Sequence, residues 1–159
     1  MATQFATYSF VDVSLALIGP GGALTIGGDG AGNAEEGFTV EMLEDKNTMT
    51  VGADGSGMHS LHAGNSGIIS VRLLKTSTVN HQLQVLYDFQ RLSSANWGQN
   101  TMTVRNPVIG DIGSARGCAF RKFPSLAYAK DGGLNEWSFM CIQVDTILGI
   151  GVPSILPAL

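Results

Sequence analysis

The sequence predicts a mainly β fold, a β-sandwich or barrel of about seven or eight strands with one flanking α-helix at about residues 77–92. Two observations carry this prediction. Short segments with alternating apolar residues recur along most of the chain and are separated by glycine clusters, which is typical of strands joined by turns. A single segment near the middle of the chain has its apolar residues at helical spacing instead. A chain of 159 residues is long enough for one domain with its own core.

The first predicted strand covers residues 5–18 and continues into a hairpin. Its apolar residues share one face of the strand: Val11, Val13, Leu15 and Leu17. The sequence Gly-Pro-Gly-Gly at 19–22 predicts a turn, because glycine adopts the positive φ angles that tight turns need. Residues 23–26 then return as the second strand.

The next strands are predicted at residues 38–44 and 47–51, and a loop follows them. Alternation in the first strand puts one set of side chains on a core face: Phe38, Val40 and Met42. Residues 52–67 show no period, and so long a run without regular structure is usually functional or disordered. Because this run contains Met58 and Leu61, we interpret it as a loop that orders against a neighbouring subunit.

The helix follows a strand predicted at residues 68–75. That strand presents an apolar core face of Ile69, Val71 and Leu73. Ser77 is the predicted N-cap, because its hydroxyl can accept a hydrogen bond from a free N–H of the first turn. Apolar residues then recur at steps of three and four, and we expect this stripe to pack on the sheet: Val79, Leu83, Leu86, Phe89 and Leu92.

Three more strands are predicted, at residues 101–105, 117–123 and 136–147. Cys118 and Cys141 fall in the last two of these strands. A domain of this size needs no disulfide, so we expect free, buried thiols in a reducing compartment. No signal peptide or membrane-spanning stretch is recognisable, which favours synthesis and retention in a cytoplasm.

The charge of the chain points to self-association. Only 14% of the residues are charged, against a typical ~25%, so we expect other copies to cover much of the surface. Residues 1–71 hold eight acids and one base, whereas residues 72–159 hold five acids and eight bases. Opposite charges in the two halves suit head-to-tail contact between identical copies.

Several functional classes lack their signatures. No Gly-x-Ser-x-Gly nucleophile elbow occurs and Cys118 has no evident histidine partner, so we expect no enzyme activity and no cofactor. His59 and His62 lack a rigidly held third ligand, so no metal site is expected. Basic residues are scattered and the pI is about 5.2, which argues against nucleic-acid binding. A carbohydrate-binding β-sandwich is the alternative of a different class, but its aromatic platform would need to be assembled from distant tryptophans.

One segment carries a family resemblance. In "SGIISVRLLKTSTVNHQL", residues 66–83, a glycine and an alternating strand run into Thr76 and Ser77, followed by Asn80 and Leu83. This pattern resembles the strand-to-helix signature of tail tube proteins from contractile-tailed bacteriophages.

Two other segments extend the resemblance to roughly residues 1–150. "RKFPSLAYAKDGGLNEWSFMC" at 121–141 has a strand ending at proline, a loop, and Glu-Trp opening the last long strand. "DKNTMTVGADGSGMHS" at 45–60 is similar to the segment that precedes the family's variable loop. We expect residues 1–150 to form the tail-tube domain and residues 151–159 a C-terminal arm laid on a neighbour.

The resemblance implies rings of six copies, stacked into a hollow inner tail tube that conducts the phage genome into the host. It also implies the partners of such a tube: the tail sheath, baseplate and tail-terminator proteins, the tape measure protein, and genomic DNA that passes without specific binding. Assembly would take place in the host cytoplasm and the product would be the virion tail. The inner tubes of type VI secretion systems and contractile bacteriocins, which share the fold, are the alternatives.

The tube interpretation assigns roles to two sets of residues. The segment at 47–66 is expected to contact adjacent rings, with these residues at the contact: Asn47, Met49, Val51, Asp54, Met58, His59 and Leu61. The polar faces of two strands are expected to line the lumen, with these candidates: Thr39, Glu41, Ser70 and Arg72. The acid excess of the chain suits a lumen that repels DNA phosphates.

Overall fold

A computed structural model describes residues 6–27 and 37–151 of the chain. Within these ranges it has one α-helix, α1 (Val79–Gln90), and a 3-10 helix at Phe10–Asp12. The strands are β1 (Ser14–Gly19), β2 (Gly22–Gly27), β3 (Gly37–Met42), β4 (Asn47–Val51), β5 (Gly57–Leu61), β6 (Gly67–Leu74), β7 (Asn100–Asn106), β8 (Asp111–Lys122) and β9 (Leu134–Ile147). The predicted C-terminal arm lies outside the described residues from position 152 onward.

Seven strands form one antiparallel sheet in the order β2-β1-β7-β8-β9-β6-β3, and β4 and β5 form a separate hairpin. The sheet is curled. Gly27 at the end of β2 lies against the ring of Phe38 in β3, although these strands are the two opposite edges of the sheet. The predicted class, a mainly β sandwich or barrel with one flanking helix, is therefore confirmed.

The core lies between one face of this sheet and α1. Every strand of the sheet except its edge strand β3 contributes a fully covered side chain, and the helix contributes Val79, Leu83 and Leu86. Phe120 is at the centre of the aromatic part of the core, with ring centroids 4.6 Å from Phe139 and 5.8 Å from Trp137. Aromatic pairs of this kind add about 0.5–1.5 kcal/mol each beyond the area they bury.

The buried face of α1 differs from the prediction at its C-terminal end. Val79, Leu83 and Leu86 are buried as expected, but Phe89 is 44% exposed and Leu92, which follows the helix, is 80% exposed. Gln90 takes the next core position instead. The prediction of Phe89 and Leu92 as core residues is wrong, because the stripe continues in steps of three and four through residue 90 and the helix then ends.

The start of α1 explains part of the sequence motif. The helix begins one residue later than a Ser77 N-cap would place it, after Thr78, yet the Ser77 hydroxyl accepts a hydrogen bond from the Val79 N–H at 3.3 Å. Asn80 links three parts of the fold. Its amide donates to the Leu74 carbonyl at 2.8 Å, and its Oδ1 accepts from the Trp137 indole at 3.0 Å. This asparagine therefore ties β6, the helix and β9 together.

A buried amide pair fixes the end of the helix to the sheet. Gln90 and Asn100 exchange two hydrogen bonds, each 2.8 Å long, and the Gln90 amide also donates to the Pro20 carbonyl at 3.0 Å. Gly19 lies so close to the Asn100 side chain that any larger residue at position 19 would displace Asn100. This cluster is not predictable from the sequence, since polar residues at core positions are recognisable only once their partners are known.

Three strand predictions need correction. Val11 is exposed in the 3-10 helix, so the first strand begins at Ser14 and not near residue 5. Met42 at the end of β3 is also exposed, unlike Phe38 and Val40, which pack against the core. Residues 52–67 are not one irregular loop, because β5 pairs with β4.

The two cysteines lie opposite each other on β8 and β9, and both are buried free thiols. A hydrogen bond with the neighbouring Cys141 thiol, together with burial, raises the pKa of Cys118 above its ordinary value. Cys118 therefore acts as a small apolar residue of the core at neutral pH.

Replacing Leu86 by alanine is expected to lower the free energy of unfolding by about 2–5 kcal/mol, because it removes a buried side chain and leaves a cavity. Urea unfolding followed by tryptophan fluorescence measures the loss. Val85→Ala is the matched control in the same helix, and its exposed side chain predicts a change within about 0.5 kcal/mol. Equal small losses in both variants would contradict the packing of α1.

Candidate assembly surfaces

The hairpin of β4 and β5 projects from the domain. No residue from 43 to 66 is buried, and none of the core residues comes from this segment. A two-stranded hairpin that packs on nothing is at best marginally stable by itself. Part of the segment at 52–67, which is predicted to order against a neighbour, is therefore the second strand of a hairpin. Both faces of this hairpin are exposed to solvent in the single chain.

The register of the hairpin separates an apolar face from a polar one. Asn47 pairs with Leu61, Met49 with His59 and Val51 with Gly57, and directly paired residues lie on the same side of an antiparallel ladder. The other side carries Thr48, Thr50, Met58 and Ser60. The two faces therefore differ in character, and we call the side with Met49, Val51 and Leu61 the hairpin's apolar face.

The apolar face exposes large side chains. Met49 is 61% exposed, Val51 is 57% exposed and Leu61 is 86% exposed. On the same side, the Asn47 amide and His59 Nδ1 lie 3.1 Å apart in a hydrogen bond, which fixes the polar residues at its margin. Exposed aliphatic groups brought together on one side of the hairpin indicate a contact surface for another molecule.

The tip of the hairpin is held by a tight turn. The Gly52 N–H donates to the Ser56 carbonyl at 2.7 Å, and Gly55 adopts a φ of 88°. Asp54 accepts hydrogen bonds from the Ser56 N–H and hydroxyl, each 3.0 Å long, and these bonds lower the pKa of its carboxyl group. Asp54 therefore shapes the turn.

The base of the hairpin is tied to the sheet. The Lys46 ammonium donates to the carbonyls of His62, at 3.2 Å, and Gly64, at 2.9 Å. The Val144 N–H of β9 donates to the Asn65 carbonyl at 2.8 Å. The hairpin therefore has a defined direction relative to the sheet.

The structure places the predicted contact residues as follows. Those on the apolar face are Asn47, Met49, Val51, His59 and Leu61. Met58 lies on the opposite face and Asp54 lies in the tip. Sequence reasoning recognised the segment from its apolar residues, but it missed the second strand and so did not separate the two faces.

The predicted lumen residues lie together on the sheet face opposite the core. Thr39 pairs with Ser70, and Arg72 donates a 2.8 Å hydrogen bond to the Thr39 hydroxyl. Glu41 is on the same side of β3, two residues from Thr39. We call the sheet surface that contains these four residues the polar sheet face.

The charges on the polar sheet face are mixed. By strand register it extends over β7, β8 and β9, with acids and bases side by side: Glu41, Glu136 and Asp145, and Arg72, Arg105 and Arg116. Arg116 and Asp145 form an exposed ion pair at 3.5 Å. The acid excess of the chain is therefore not concentrated on this face among the described residues.

Within residues 6–27 and 37–151, each edge strand of the sheet, β2 or β3, forms a strand ladder on one side only. In the described part of the chain, β2 pairs only with β1 and β3 pairs only with β6. An exposed strand edge is a template for pairing with another chain.

Three alternatives concern residues 6–27 and 37–151: a metal site, a carbohydrate-binding platform and a membrane-spanning helix. No group of three or more His, Cys, Asp or Glu there is close enough to hold a metal ion, and His62 instead bonds Thr48 at 3.1 Å. Trp137 is buried, and Trp97 packs with its ring centroid 6.3 Å from Tyr87, so the tryptophans form no open sugar platform. No helix in the described ranges is both long and apolar enough to span a membrane.

Comparison with protein families gives a match over nearly the whole chain. The family model described as "Bacteriophage PhiTE tail tube protein" matches residues 5–149. No curated protein sequence matches the chain.

Solved structures share the fold at low sequence identity. The tail of an empty GTA particle, refined with C6 symmetry, has a TM-score of 0.54 at 16% identity, covering 89% of this chain and 98% of the other. The anti-feeding prophage baseplate has a TM-score of 0.55 at 9% identity, with 92% and 97% covered. The tube-terminating cap of the anti-feeding prophage has a TM-score of 0.53 at 8% identity, with 94% and 95% covered.

Proposed function

The chain belongs to the bacteriophage PhiTE tail tube protein family, and from this premise we propose how its copies build the inner tube of a phage tail. The resemblance seen in the sequence is confirmed, and the protein is a structural component of the virion tail. In our proposal six copies close a ring and the rings stack head to tail into a hollow tube. The phage genome passes through this tube into the host.

The observation that carries the stacking proposal is the apolar face of the hairpin. Met49, Val51 and Leu61 are largely exposed in the single chain, although complete burial of each would contribute about 1.5–3 kcal/mol. A copy in the adjacent ring can provide that burial. Because the same contact repeats from ring to ring without closing, it extends the assembly into a filament.

The sheet edges support closure of each ring. β2 and β3 are the opposite edges of the sheet, so each copy can offer one edge to each of its two ring neighbours. A ring closes when the rotation that relates one copy to the next is a whole fraction of a full turn. The C6 symmetry of the GTA tail supports six copies in each ring.

We propose that the tube works with the partners of a contractile tail. A tail sheath surrounds it, and baseplate and tail-terminator proteins bind its two ends. This is supported by the folds shared with a prophage baseplate and a tube-terminating cap. The tape measure protein and genomic DNA occupy the lumen without specific binding. Assembly in the host cytoplasm is consistent with the buried free thiols.

The polar sheet face is the proposed lumen wall. Its polar groups bond one another, as Arg72 does with Thr39, and its acids and bases alternate. A wall of balanced charge gives DNA phosphates no continuous basic surface to bind, so the genome slides. This replaces the acidic lining expected from composition.

Changing Glu41 to lysine is expected to leave tube formation intact and to reduce genome ejection, because every copy of each ring then gains a cation on the proposed lumen wall. The rate of genome ejection is measured on purified virions with a fluorescent dye that binds the released DNA. Thr48→Lys on the hairpin's polar face is the control, since it places a lysine ammonium away from the wall, with a change in net charge of one unit where Glu41→Lys changes it by two. Slower ejection in the control alone would contradict the assignment of the wall.

Negative-stain imaging and light scattering of the concentrated protein test the proposed function as a whole. We expect rings and hollow tubes. A protein that stays monomeric at high concentration and is missing from the tails of its virions would contradict it. Tubes that carry protein cargo and no genome would instead favour a secretion or bacteriocin tube.

A further inference from the structure

A mainly apolar groove lies at the end of the sheet from which the hairpin projects. Its volume is about 410 Å³. The curl of the sheet brings the edge strand β3 close to the neighbouring strands β7, β8 and β9, and the walls include these apolar residues: Val13, Val40, Met42, Val104, Ile112 and Ile147. The groove was missed in the sequence because its walls meet only after the sheet curls.

The chain leaves the described domain at the rim of this groove. Ile147 and Leu148, at the end of β9, are part of its wall. The Gly149 N–H donates a 2.8 Å hydrogen bond to Asp111 Oδ1, and Asp111 also lines the groove. Gly149 packs against the backbone of Ile109 and Gly110, where no side chain would fit. The direction in which the C-terminal residues start is therefore fixed beside the groove.

We propose that residues 152–159 of the same chain bind in this groove. Their sequence, Val-Pro-Ser-Ile-Leu-Pro-Ala-Leu, contains no charged side chain and four large aliphatic side chains. Eight residues span at most about 26–29 Å when extended, much more than the width of a recess of this size. The two prolines restrict the segment before it binds, which lowers the entropy lost on binding. This inference does not depend on tube formation.

The composition of the C-terminal segment favours it over the other end of the chain. Residues 1–5 also lie close in sequence to a wall residue, Tyr8, but they contain Thr3 and Gln4 and only two large apolar side chains. The C-terminal segment follows a wall strand directly and is apolar throughout except for Ser154. It is therefore the better match for an apolar groove.

A thiol-labelling experiment tests the proposal on the dilute, unassembled protein. The reporter is Ile112→Cys in the groove wall, and the control reporter is Val85→Cys on the exposed side of α1. Maleimide labelling of each is followed by mass spectrometry in three backgrounds: the full chain, the chain without residues 152–159, and the full chain with Ile155→Ser and Leu156→Ser. The native cysteines are buried and provide an internal check that each variant is folded.

We expect the Ile112→Cys reporter to react on the order of tenfold faster in both altered backgrounds, the factor expected from losing one buried aliphatic side chain. The Val85→Cys reporter should react equally in all three. Equal rates at Ile112→Cys in the full and altered chains would overturn the proposal. Protection that vanishes on dilution, or that an added wild-type chain restores, would overturn the proposal in favour of the C-terminal segment of another copy. Protection that depends on residues 1–5 would overturn it in favour of those residues.

Discussion

Replacing residues 47–61 by a short Gly-Ser turn is expected to abolish stacking into tubes while the seven-stranded sheet stays folded. The hairpin contributes no side chain to the core, so its removal costs the domain little. It does remove the exposed aliphatic groups that the stacking proposal uses, Met49, Val51 and Leu61. Electron microscopy of the concentrated variant measures assembly, and far-UV circular dichroism checks the fold.

Point substitutions on the two faces of the hairpin refine this test. Met49→Ser combined with Leu61→Ser removes apolar surface from the proposed contact and keeps the ladder, so we expect stacking to be lost or strongly weakened. Thr48→Ala combined with Ser60→Ala changes a directly opposed pair on the other face and should leave tubes intact. Tubes of normal length from the first variant, or from the shortened chain, would exclude the hairpin as the ring-to-ring contact.

Replacing Gly19 by alanine is expected to lower the free energy of unfolding by about 2–4 kcal/mol, through overpacking and loss of a buried hydrogen bond. The added methyl group would occupy the space of the Asn100 side chain. Displacing Asn100 breaks its pair with Gln90 and leaves buried amide groups without partners. Thermal unfolding should show a midpoint about 5–15 °C lower.

The matched control is Gly132→Ala in the loop before β9. No atom lies within 4 Å of the position that its new methyl group would take. We therefore expect this variant to be neutral or slightly more stable, because alanine restricts the unfolded chain. A Gly19→Ala protein as stable as the control would show that the amide cluster is not a fixed part of the core.

The helix shows how far the sequence determined the fold. Spacing identified its position and three of its core residues correctly, because Val79, Leu83 and Leu86 are apolar and periodic. It failed at the C-terminal end, where a polar residue, Gln90, is buried and an apolar one, Phe89, is half open. Only the partners of Gln90, Asn100 and the Pro20 carbonyl, explain that exchange, and they are distant in sequence.

The hairpin shows the same limit at the assembly surface. Apolar residues in a glycine-rich segment indicated a contact, because a solvated loop would leave them exposed to water. The pairing of β4 with β5, which decides that Met49 and Leu61 share a side with Asn47 and His59, depends on a turn at Gly52–Ser56. Local composition does not reveal this register, because Gly, Asp and Ser suit many loops equally well.

The claim that the hairpin's apolar face joins adjacent rings is tested most directly by a cryo-electron microscopy reconstruction of the assembled tube. We expect Met49, Val51 and Leu61 to be buried against a copy in the next ring, with Thr39 and Ser70 facing the lumen. A reconstruction in which the hairpin's apolar face remains exposed to solvent, or contacts only copies within its own ring, would contradict the account.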